Sequence, residues 1–332
     1  MRRRTCLGLL AASPLGVGPS PLGAQVPDPP DEAGWDAWIR AFLAPEGRVV
    51  DAPQGGISHS EGQGYGMVLA TAFGDRAAFL RMRDWTDAAL AVRQDALLAW
   101  RWRPDEAPES RDYNDASDGD LFCAWALLRG ARRFGEPADE AGAIARALDA
   151  ICVVDDPRGG GRLLLLPGAE GFRTGTGMVV NPSYLMPLAL QELAAAFDLP
   201  RLATCAEDGV ALLQALAVAG PMPDWIEVTP EGWRSWSAAP SATGYEAVRA
   251  PLWLVWSGRP GHAAVRAALD SDTAGPGGDR AAGYAALRAL AACATATAPG
   301  RLPAYDAAQP YYPATLHLLA MTAARESGSA CR

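Results

Sequence analysis

The chain has 332 residues, 49% hydrophobic and 20% charged, close to the average of folded proteins, so disordered and fibrous classes drop out. Its formal net charge of −9 leaves no basic surplus to neutralise phosphates, which excludes a duplex nucleic-acid binder. Eleven Trp against seven Phe favours a neutral partner with flat rings, because an indole offers an apolar face with a polar edge.

Residues 1–24, MRRRTCLGLLAASPLGVGPSPLGA, place arginines ahead of a short, proline-broken apolar stretch and a small-residue end. That is the outline of an export signal cut before Gln25, and its apolar run is too short to span a bilayer. The leading arginines share the start of a twin-arginine signal. The expected product is exported, periplasmic or secreted, with no membrane span after processing. From residue 34 onward, apolar spacings of three and four predict helices over 34–44, 61–73, 75–92, 118–134, 137–151, 182–197, 199–218, 244–257, 259–270, 280–297 and 311–325. RLLLLPGAEGFR (162–173) and WIEVTPEGWRSW (225–236) alternate around turn dipeptides and predict β-hairpins. No low-complexity linker or fixed-period repeat interrupts 34–325, so residues 25–332 form one all-α domain with short hairpin decorations.

Five cysteines remain once Cys6 leaves with the signal: Cys123, Cys152, Cys205, Cys293 and Cys331. Sparse, odd in number and without a C-x-x-C spacing, they make a poor metal framework and allow at most two disulfides. Cys123 and Cys293 sit in Ala- and Leu-rich helical stretches, where small buried hydrophobes are expected. His59, His262 and His317 are far apart in the chain, so neither metal nor organic cofactor is expected.

Three stretches carry chemistry. In HSEGQGYGMVLA (59–70), Ser60 and Gln63 have the spacing of a capping box, while Gly62, Gly64 and Gly66 bare the backbone beside Glu61. An acid there would face a cleft, with the glycines clearing space for a ligand. In RDYNDASDGDLFCAWALL (111–128), Ser117 and Asp120 repeat the capping-box spacing, and Asp118 stands at a helix start among like charges. In TGYEAVRAPLWLVW (243–256), Pro251 marks the opening turn of a helix, so Glu246 and Arg249 belong to the loop before it. Two separated acids, one to protonate a leaving oxygen and one to activate water, are the minimum equipment for cleaving a glycosidic bond with inversion. Trp100, Trp102, Tyr184, Trp225, Tyr311 and Tyr312 flank loops at predicted helix ends and complete the set as platforms for sugar rings.

Taken in order, EGRVVD (46–51), SEGQGYGM (60–67), RDWT (83–86), AWRW (99–102), ASDGD (116–120), NPSY (181–184), PDW (223–225) and GYEAVRAP (244–251) resemble glycoside hydrolase family 8, most of all the endoglucanases that accompany bacterial cellulose synthesis. The resemblance implies an (α/α)6 barrel with an open groove, no cofactor, a β-1,4-glucan substrate, a monomer, and a functional link to a cellulose synthase complex. Carried over by motif, Glu61 matches the general acid and Asp118 the aspartate that holds the sugar at the cleavage point. Tyr65, Trp100, Trp102, Asp120, Tyr184, Arg249, Tyr311 and Tyr312 fall where residues lining the site would be. One position departs: the family pattern carries aspartate as general base where this chain has Glu246, one methylene longer. Other specificities of the family (xylan, mixed-linkage glucan, chitosan) and a weakly active glucan-binding accessory protein are the alternative readings.

Overall fold

Local chemistry sets several helix starts. Asp31 accepts the Gly34 amide at 3.0 Å to cap α1 (Glu32–Phe42), and Asp75 accepts the Ala78 amide at 2.9 Å to cap α3 (Arg76–Ala89). Pro187 and Pro200 open α6 (Pro187–Phe197) and α7 (Pro200–Ala219), where a missing N–H costs nothing. The computed structural model describes residues 31–236, 244–270, 281–296, 300–328 and 331; the export signal expected at 1–24 lies outside them.

Eleven α-helices occupy the described residues, each at a position the apolar spacing predicts. α2 (Ser60–Phe73), α4 (Ser117–Phe134), α8 (Arg249–Trp256) and α11 (Tyr311–Glu326) are the most deeply buried, and with α6 they form a ring in which each neighbours the next and α11 closes back onto α2. Behind them stand α3, α5 (Asp139–Ala147), α7, α9 (Ala263–Asp270) and α10 (Ala282–Thr295), while α1 leans on α11. This alternation of inner and outer helices, five of each among the described residues with α1 beside them, has the layering of an (α/α)6 barrel. Alone among the described helices, α7 has the length and hydropathy of a membrane span. It is instead packed on α6 and α9, with Glu207 and Asp208 at its middle.

The decorations are three small antiparallel sheets: β1 (Ser58–His59) with β2 (Arg101–Trp102); β3 (Val153–Asp155) with β4 (Leu163–Leu165); and β5 (Met178–Val180), β6 (Ile226–Thr229) and β7 (Gly232–Ser235). The hairpin expected at 225–236 is β6–β7. The one expected at 162–173 is not formed: β4 turns back through Gly159, Gly160 and Gly161, all at positive φ, to pair with β3 upstream. The helix expected from 182 begins as a short 3-10 turn, Pro182–Tyr184, and continues as α6 only at Pro187.

Neither capping box exists. Gln63 turns inward, its amide nitrogen reaching the Gly47 and Met82 carbonyls and Thr86 Oγ1 while its oxygen accepts the Val49 amide at 2.6 Å. Ser117 Oγ donates to the Leu166 carbonyl and Asp120 Oδ1 accepts the Leu98 amide. Cys293 is no mere hydrophobe, since it is disulfide-bonded to Cys331; Cys123, Cys152 and Cys205 are buried free thiols.

The glycines of α2 serve packing rather than a ligand. A Cβ on Gly64 would lie 2.7 Å from Phe122 Cβ of α4, and one on Gly119 of α4 would lie 2.0 Å from Ser60 Oγ and 2.8 Å from the Glu61 amide. The two helices therefore cross in backbone contact. Gly62 and Gly66 admit Tyr311 Oη and the side chains of Met82 and Trp38.

Candidate active site

That crossing brings two acids together. Glu61 lies in the first turn of α2 and Asp118 in the first turn of α4. Arg249 opens α8 and Tyr311 opens α11, so the amino ends of four inner helices converge on one end of the barrel. Such ends carry partial positive charge and favour acidic side chains. They wall an open cleft of about 230 Å³ lined by Glu61, Trp100, Asp118, Tyr184, Glu246, Arg249, Tyr311 and Tyr312.

Arg249 organises the floor, with its side chain only 2% exposed. Nη1 stands 3.0 Å from Glu61 Oε2 and 3.3 Å from Asp118 Oδ2, and donates to Tyr65 Oη at 3.0 Å. Nη2 donates to Ser183 Oγ at 2.6 Å and lies 3.5 Å from Glu246 Oε2. A planar guanidinium spans about 2.3 Å between those nitrogens, so the Glu61 and Glu246 oxygens lie within about 9 Å of each other, below the upper end of the roughly 6.5–9.5 Å that leaves room for an attacking water. Both glutamates keep partial access to solvent, 24% and 21% of their side chains. The Asn181 side-chain amide donates to Glu246 Oε2, and its carbonyl accepts both the amide and the hydroxyl of Ser183, tying Glu246 and Arg249 into one network.

One cation among three carboxyl groups leaves too little positive charge for all to ionise cheaply. Burial, then the charge of Glu61, pushes Asp118 well above the usual carboxylate range, against the pull of Arg249. Burial also raises Glu246, opposed by Arg249 and the Asn181 hydrogen bond. Tyr184, Tyr311 and Tyr312 are raised by burial as well, so they present neutral hydroxyls and flat faces at ordinary pH.

Four residues expected in the site lie outside the cleft lining, among them Trp225, which stacks on Phe172 and meets Tyr184 edge-on. Asp120 is fully buried on the far side of α4 and pairs with the Leu98 amide rather than with a ligand. Trp102 packs edge-on against Trp85 beneath the Arg48 guanidinium. Tyr65 sits one turn below Glu61 and touches the site through Arg249 alone. Residues not expected in the site also line the cleft: Asp51, Gln54, Ser60, Ala116, Tyr245 and His59, whose ring stacks parallel to Trp100 at 6.3 Å. Asp51 closes EGRVVD and Asn181 opens NPSY, so the motifs held a signal that no single-residue argument drew out. Among the described residues, no group of three or more His, Cys, Asp or Glu could hold a metal ion.

Helical barrel, open cleft, paired acids and aromatic walls together define a glycoside-cleaving enzyme. The chain belongs to the glycosyl hydrolases family 8, whose pattern matches residues 24–326. A probable endoglucanase of Novacetimonas hansenii is 35% identical across 92% of this chain and 95% of its own length. An endoglucanase of Cellulomonas uda is 33% identical across 68% of this chain and 63% of its own. The crystal structure of an endoglucanase from Klebsiella pneumoniae, a family 8 glycosyl hydrolase, matches with a TM-score of 0.79 at 30% identity, covering 89% of this chain and 99% of that one.

Proposed function

We propose that this chain is an exported, inverting endo-β-1,4-glucanase acting on cellulose or soluble β-glucan, with Glu61 as general acid and Glu246 as general base. The observation that carries the reading is the single buried guanidinium that meets Glu61, Asp118 and Glu246 at 3.0, 3.3 and 3.5 Å. In an inverting cleavage, Glu61 gives its proton to the bridging oxygen as the glycosidic bond breaks. Water attacks the anomeric carbon from the opposite face and loses its proton to Glu246. Asp118 holds a sugar hydroxyl at the cleavage point by a hydrogen bond. Trp100 at one side and Tyr184 at the other offer stacking faces to successive rings.

Glu61→Gln tests the acid: cleavage of carboxymethyl-cellulose should vanish while cello-oligosaccharide binding persists, and loss of both would assign Glu61 a structural role. Reducing-end assays on carboxymethyl-cellulose, xylan and chitosan separate the family's specificities. No turnover on any of them, with retained binding, would favour an accessory protein. Export is supported by the leader-like residues 1–24, and placement beside a cellulose synthase by the motif resemblance; fractionation of cells and co-purification with the synthase test them.

A further inference from the structure

Glu246 does not lie in a regular element. It stands in the turn of residues 244–248 just ahead of α8, where four successive amides have no helical partner behind them. One carboxylate takes all four. Asp224 Oδ2 accepts the amides of Gly244 at 3.0 Å and Tyr245 at 3.2 Å, and Oδ1 accepts those of Glu246 at 3.0 Å and Ala247 at 2.8 Å. Asp224 is buried and absent from the cleft lining, so it meets no substrate. It is fixed to the barrel's sheet side, because Trp225 and β6 follow it directly. The same turn delivers Arg249, whose amide bonds back to the Glu246 carbonyl at 3.1 Å. Hydrogen bonds to an ionised acceptor are short and strong, and four on one carboxylate leave the turn little freedom.

We propose that Asp224 is a positioning residue that sets the height of Glu246 above the cleft floor, an inference that rests on reading Glu246 as the base. Its role is to hold the backbone so that the longer glutamate reaches the Asn181 amide and the neighbourhood of Arg249. An asparagine keeps the shape of Asp224 but can accept only on its oxygen, and its nitrogen would confront two of the four amides.

The test is a double-mutant cycle on Asp224→Asn and Glu246→Gln, read as kcat and KM on cellopentaose. Asp224→Asn should lower kcat about a hundredfold, the usual consequence of a misplacement near 1 Å, with KM changed less than twofold. In the Glu246→Gln background the same substitution should change the residual rate less than twofold, because the group it positions is gone. Asp224→Glu keeps the charge that the four amides need while displacing it by one carbon–carbon bond. It should also lower kcat, and it replaces the asparagine variant should that one fail to fold. Wild-type kcat in either folded variant, or a loss that multiplies with that of Glu246→Gln, would overturn the proposal and leave Asp224 an ordinary turn cap. Full activity in Glu246→Gln alone would instead overturn the base assignment beneath it.

Discussion

Glu246→Asp shortens the side chain by one methylene and should damage this enzyme. Four amides bonded to Asp224 hold the turn, including that of Glu246 at 3.0 Å, so the backbone is not free to advance. Removing one methylene then withdraws the carboxylate by about 1.5 Å, the length of a carbon–carbon bond. The Asn181 contact breaks, and the approach to Arg249 Nη2, 3.5 Å at present, opens beyond ion-pair range. A displacement of this size costs about a hundredfold in rate, or about 2.7 kcal/mol at 1.36 kcal/mol per tenfold. Steady-state kinetics on cellopentaose should therefore show kcat down by that factor and KM within twofold, since Trp100 and Tyr184 are untouched. Equal or higher kcat in Glu246→Asp would refute the claim that this site is built around the longer side chain.

Three further outcomes follow from the same geometry. A base must be ionised to work, and burial raises Glu246 above its ordinary 4.5, so kcat/KM should climb with pH along an acid limb centred above that value; a limb at or below it would contradict the assignment. Burial, then the charge of Asp115, pushes Asp120 well above its free value of 3.8. Its contribution to stability is thus fully present below 3.8 and lost as pH rises through the higher folded value. The melting temperature of Asp120→Asn relative to the parent should rise from pH 4 to pH 8, and a relative melting temperature that falls over that range would show the sign to be wrong. The Cys293–Cys331 bridge spans 38 positions, a loop whose closure is worth about 4 kcal/mol; the Cys293→Ala, Cys331→Ala pair should melt several degrees lower by calorimetry, and an unchanged midpoint would remove the bridge from the stability of the fold.

The helices were legible because each buries an apolar stripe, and a period of 3.6 survives any change of partner. What failed were inferences that treat a helix end as isolated. Gln63 has the spacing to cap Ser60, yet in the fold its side chain bonds two carbonyls, a hydroxyl and an amide from 47–49 and 82–86. The hairpin at 162–173 failed for a related reason: a run of leucines reads alike in either direction, and only the three glycines upstream select β3 as its partner. Asp120 was readable and misread. Two residues apart on a helix, Asp118 and Asp120 point to opposite sides, so the acid that reaches the cleft consigns the other to the core.

Glu61 and Asp118 show how backbone contact, invisible in any single motif, makes the site. Side chains from separate helices ordinarily meet across 8–10 Å of axis separation, too far for two short acids to share one guanidinium. Here Gly119 lies where a Cβ would strike Ser60 Oγ and press on the Glu61 amide itself, so the first turn of α4 touches the first turn of α2. Arg249 can then bond both acids through a single nitrogen, Nη1. An alanine at 119 would push the helices apart and draw Asp118 or Glu61 off that nitrogen, even though residue 119 contributes no atom to the chemistry. The glycines around SEGQGYGM and ASDGD thus act one step earlier than a ligand: they let two helices approach closely enough for the acids to become a pair.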